Sequence, residues 1–137
     1  MKRALILGYG LFCAIALAAW AQSRVPDEVV SVFAKNCAGC HKGAFAPRGL
    51  SWQAKKIEAA IDAPSREVPA LKIIDTASPE SSYVLKKVRG EKDIKGTRMP
   101  PGKTLDPASI KVLEDWIQSL KKIPGPFPTS AGSGRSR

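Results

Sequence analysis

Apolar residues recur along this chain with two different rhythms. From Ala4 to Ala19 they form an almost unbroken run behind the basic start Met1-Lys2-Arg3. After residue 25 they return at helical spacing. Val29, Val32, Phe33, Asn36 and Cys37 fall on one side of a helix beginning near Pro26, because residues three and four apart share a face. Ala54, Ile57, Ala60 and Ile61 make the apolar side of a short helix that Ser51 caps and that ends before Pro64. Ser78 caps a third, with Pro79 in the first turn, Glu80 near its positive end, Tyr83, Val84, Leu85 and Val88 as its apolar residues, and Gly90 as its stop. The last is the most regular. Asp106-Pro107 opens it, Ile110, Leu113, Ile117 and Leu120 form one stripe with Val112 and Trp116 beside it, and Pro124 closes it.

Between these elements the period disappears. Glycines and Pro47 make residues 42–50 an irregular loop, and residues 91–105 form another, rich in lysine, glycine and proline, with Met99 in its middle. Residues 63–77 carry no clear rhythm, and Leu71 to Ile74 reads equally as an extended piece or a partial helical turn. The ending IPGPFPTSAGSGRSR has turn formers and small residues without a period, the pattern of a disordered tail over 123–137. No strand pair and no internal repeat is visible. The pattern predicts an all-α domain of about four helices over 22–122.

The first apolar run changes this picture. A basic start, an apolar stretch and the small-x-small sequence Ala19-Trp20-Ala21 match a signal peptide over 1–21, leaving a chain that begins at Gln22. The run also reaches the lower length limit for a membrane span, so a retained anchor is the other reading. On either reading the domain is exported, to the periplasm or another compartment outside the cytoplasm. Cys13 lies inside the run behind Phe12, where a lipoprotein signal needs a small residue, and serves as apolar filler. Removing the run leaves Cys37 and Cys40 in an oxidising compartment. The remaining domain is small, and a small core gains from a cross-link, metal or cofactor.

Lysine and arginine number 22 against 12 acids, a formal +10, and loss of Lys2 and Arg3 leaves +8. Such a surface suits a negatively charged partner, whether an acidic protein patch, anionic lipid or nucleic acid, and reads equally as a solvated face with no dedicated partner. The cations are scattered rather than interleaved with aromatics, which with export argues against nucleic acid.

The chemistry concentrates in KNCAGCHKG, residues 35–43, which holds the only histidine of the chain. On a near-helical turn Cys37 and Cys40 project on neighbouring sides, and His41, four residues after Cys37, faces the same way. Two thiols so placed can add to the two vinyl groups of a haem, with the imidazole under the iron. C-x-x-C-H is accordingly the pattern of c-type haem attachment. A zinc site wants four ligands, and Cys37, Cys40 and His41 make three. A thioredoxin-like pair needs a βαβ setting that the pattern lacks. A disulfide between cysteines three apart closes a very small loop and stabilises little.

Met99 is the second axial candidate. It stands in TRMPPGK, where two prolines forbid helix, so it has no helical face to fill as a core residue. Methionine sulfur opposite histidine raises the reduction potential, which suits electron carriage. The free ring nitrogen of His41 is expected to donate to a carbonyl near Ala46-Pro47. Trp52, Tyr83, Arg48 and Arg98 are candidates to pack the haem edge or hold its propionates, with core packing and solvation as their other readings.

The order of helix, CAGCH, loop, helices, RMPPG and amphipathic helix resembles the single-haem class I cytochromes c. Within them, GLSW, SPESSYVLKKV and TRMPPGKTLDPASIKVLEDWIQSL look like the short planctomycete-type cytochrome c domain. The likeness spans about residues 29–122. It implies a cytochrome c-like fold around one covalent haem c, His41 and Met99 as axial ligands, and electron transfer between redox protein partners without enzymatic turnover. One departure stands out. Those domains usually carry a glycine shortly before the proline of the SPESS-like helix, where this chain has Asp75-Thr76-Ala77-Ser78. Two alternatives fit the same motif: a five-coordinate haem protein that binds a gas or acts on peroxide, and a haem subunit of a larger oxidoreductase.

Overall fold

A computed structural model describes residues 23–121. The leader 1–21 with Cys13, the Pro124 stop and the tail 123–137 lie outside the described residues. Within them the chain forms four α-helices joined by loops and three 3-10 turns, with two isolated β-bridges and no strand. The all-α expectation holds.

Helix α1, Asp27–Asn36, has Asp27 and Glu28 in its first turn and Lys35 in its last, each sign placed against the helix dipole that attracts it. Its inner face buries Val29, Val32 and Phe33. Helix α4, Pro107–Leu120, has Asp106 as N-cap, whose carboxylate accepts from the Ser109 N–H at 2.8 Å. Leu113, Trp116, Ile117 and Leu120 are buried along it. Phe33 meets the Trp116 ring edge-on at 6.4 Å and lies parallel to Trp52 at 4.2 Å. Full burial of each large apolar side chain here stabilises by about 1.5–3 kcal/mol.

The middle of the chain departs from local pattern. Helix α2 is one turn, Ala54–Ile57, continued by a 3-10 turn over Glu58–Ala60. Gln53, not Ser51, is its cap residue, and the Ser51 hydroxyl instead accepts from the Gln53 N–H at 3.4 Å. The third expected helix is split. Pro79–Ser81 form a 3-10 turn, Ser82 is extended, and α3 runs over Tyr83–Arg89.

The break at Ser82 has a tertiary cause. Segment 71–74, with isolated bridges at Lys72 and Ile74, lies beside this helix start, its carbonyls at Lys72 and Ile73 accepting from the N–H groups of Tyr83 and Val84 at 2.9 and 3.1 Å. Those are donors that the first turn of a helix cannot satisfy internally. The buried Ser82 hydroxyl accepts from the Asp75 N–H at 2.8 Å. The Asp75 carboxylate in turn accepts from Ala77 and Ser78 N–H, so an Asx turn does the work expected of the Ser78 cap. This is also how the chain turns at Asp75-Thr76-Ala77-Ser78 without a glycine.

Helix α3 ends at Gly90, with φ of 71°, whose N–H returns to Lys86 O at 2.9 Å. Arg98 from the following loop lies across this glycine. Its guanidinium donates to Arg89 O at 2.7 Å and to Thr104 Oγ1 at 3.0 Å. Among the described residues no helix is long and apolar enough to cross a membrane.

Candidate functional site

The CAGCH turn grows directly out of α1. Cys37 and Ala38 N–H both return to Phe33 O at 2.9 Å, and Cys40 and His41 N–H both bond Cys37 O, at 3.2 and 2.9 Å. Four residues of backbone thus wind back on the helix end, and Trp52 N–H donates to His41 O at 2.9 Å, tying in the far side of the loop. Both thiols are free, Cys37 half-buried and Cys40 exposed.

His41 Nδ1 lies 3.0 Å from Leu50 O. A carbonyl only accepts, so Nδ1 carries the proton and Nε2 presents a lone pair. The acceptor is Leu50 rather than the expected Ala46-Pro47 stretch. The 3-10 turn Pro47–Gly49 bends the loop back, with Arg48 at φ 58°, and brings the carbonyl of the residue after it to the ring.

Behind this turn opens a cavity of about 890 Å³, toward the upper end of the ~300–1,000 Å³ usual for small-molecule and cofactor sites. Cys37, Cys40 and His41 line it on one side of the sequence and Met99 with Pro100 and Pro101 on the other. The four candidate residues named from sequence are therefore brought together. Trp52, Leu50, Ile73, Val84 and Val88 supply apolar wall. Among the described residues no three His, Cys, Asp or Glu side chains converge as a metal-ion cluster.

A basic wall completes the cavity. Arg48, Lys56, Arg66 and Lys87 border it against a single acid, Glu67. Arg66 rests on Gly49, where a Cβ would meet its Nη1 at 2.7 Å. Glu67 receives Lys87 Nζ at 3.0 Å, the Tyr83 hydroxyl at 3.0 Å and, more loosely, Arg48 Nε at 3.6 Å. Burial alone would raise its pKa, but the bonds from Lys87 and Tyr83 and the nearby cations outweigh this and hold it below the ordinary value. The Cys37 thiol shows the opposite balance. Burial pushes it up to about 11, over the opposing charge of Lys103.

Of the four second-rank candidates, Trp52, Tyr83 and Arg48 line the cavity and Arg98 does not. Arg98 is spent on the end of α3. Sequence reading missed Lys56, Arg66, Glu67 and Lys87. For Lys87 a signal existed: it stands one turn after Tyr83 on the side of α3 that carries Val84 and Val88. No family model, curated protein or solved structure matches the chain.

Proposed function

We propose that the chain is an exported mono-haem cytochrome c of the class I kind, a carrier of single electrons rather than an enzyme. The observation that carries the reading is the convergence of Cys37, Cys40, His41 and Met99 on one cavity. The residues fit haem in three further respects. The cavity is large and mostly apolar, as a porphyrin ring requires. Its basic wall matches acidic substituents. His41 is held in the tautomer that leaves Nε2 available to a metal.

When bound, haem iron supplies a one-electron couple that no side chain here provides. Cys37 and Cys40 would hold the ring, each through a thioether to a vinyl-derived carbon. His41 would ligate through Nε2, its ring orientation fixed by the hydrogen bond to the Leu50 carbonyl. Met99 gives sulfur, which favours the reduced state relative to harder donors. Arg48, Lys56 and Arg66 would supply positive charge for the carboxylates, and Trp52, Val84 and Val88 would keep water from the ring. The carrier works in the periplasm or another exported compartment and docks through its basic surface to acidic redox partners.

Matured in a host with haem-attachment machinery, the protein is expected to be coloured and heavier than its peptide by one haem. Its ferric spectrum carries the absorption band of iron bound by methionine sulfur, and Met99→Ala removes that band. A colourless product at bare peptide mass overturns the proposal.

A further inference from the structure

Lys87 is a charged residue with 8 % exposure, buried in α3 together with Tyr83, Val84, Leu85 and Val88. Its Nζ donates to Glu67 Oε2 at 3.0 Å and to Lys95 O at 2.8 Å, and lies 5.7 Å from the centroid of the Tyr83 ring. Its own main-chain carbonyl accepts from Met99 N–H at 2.9 Å. Tyr83 closes the arrangement. The hydroxyl accepts from Lys95 N–H at 3.0 Å and donates to Glu67 Oε2 at 3.0 Å.

Both backbone groups of Lys95 are thus taken by side chains of α3, and the N–H of Met99 by its backbone. Buried or half-buried loop backbone needs partners of this kind. Here a helix supplies them through a lysine and a tyrosine held by one carboxylate. Burying an ammonium is costly unless it is paired and hydrogen-bonded, and Lys87 has both a carboxylate and a carbonyl. Its place is therefore specified by the loop it binds.

We infer that Lys87, with Tyr83 and Glu67, positions Met99: the three fix the register of residues 95–99 against α3 and so set where the sulfur stands in the cavity. The inference rests on the reading of Met99 as an iron ligand. Arg98 holds the same loop independently, through Arg89 O and Thr104 Oγ1. Loss of the Lys87 amino group therefore loosens the approach to Met99 without releasing the whole loop. Cys37, Cys40 and His41 belong to a separate segment and keep the haem attached.

The test compares haem-loaded wild type with Lys87→Leu and Tyr83→Phe. Intact mass should show one covalent haem in all three, so that failure of haem attachment is seen apart from failure of positioning. In Lys87→Leu the ferric methionine–sulfur band should fall, and carbon monoxide binding to the reduced protein should strengthen about tenfold, the effect of losing one charge-assisted hydrogen bond. Tyr83→Phe should move both readouts the same way by less. Band and carbon monoxide affinity equal to wild type in both variants overturn the inference. Should Lys87→Leu give no soluble holoprotein, Tyr83→Phe decides by the same two readouts. A wild type with haem but without the band removes the ligand and the inference together.

Discussion

His41 takes its chemical character from one hydrogen bond. Because Leu50 O can only accept, the ring proton sits on Nδ1 and the outward nitrogen carries the lone pair. The histidine was legible in the sequence, but its acceptor was not. Which carbonyl arrives depends on the left-handed backbone at Arg48, a conformation that local composition does not announce at an arginine. Cys37 is governed by burial. Its thiol is held up at about 11, and only the thiolate is nucleophilic. In the haem-free, reduced chain, Cys37 should therefore alkylate slowly at neutral pH and accelerate as pH rises toward that value. Mass spectrometry after timed iodoacetamide pulses reads this directly, and rapid labelling of Cys37 at neutral pH contradicts it.

At the scale of elements, α4 was legible because every signal that makes it is local. Asp106 caps, Pro107 fits the first turn, and the apolar stripe meets α1 and α3. The α3 region was only half legible. Its stop at Gly90 is local, whereas its start at Tyr83 is set by carbonyls of Lys72 and Ile73, about ten residues away in a stretch without period. Gly90 also shows how an element end and the site loop depend on each other. A Cβ there would meet Arg98 Nε at 2.8 Å, on a residue already at φ 71°. Gly90→Ala should lower stability by about 1–2 kcal/mol through backbone strain alone, and displacement of Arg98 adds to it. The urea midpoint of the holoprotein measures the change. Gly39→Ala, with nothing within 4 Å of the added carbon, should stay within about 0.5 kcal/mol of wild type.

For the whole molecule, the motif residues announced the cavity but not its basic wall. Arg48, Lys56, Arg66 and Lys87 come from four separate stretches, and nothing in their spacing links them. Their sum is a cavity border with four cations and one acid on a chain of formal charge +10. On the proposed role as an electron carrier, exchange with an acidic redox partner should accordingly slow as salt rises, since screening shortens the reach of these charges to about 10 Å at 0.1 M. Stopped-flow rates across ionic strength test this, and a flat profile contradicts electrostatic docking.

Trp52 stands with one side on the cavity and its ring stacked on Phe33, which in turn touches Trp116, whose indole N–H is bonded to Arg24 O at 2.7 Å. Light emission by the indoles is therefore a built-in gauge of occupancy. A pigment seated in the cavity would darken the near indole most, so chain matured without it would emit more brightly than chain that carries it.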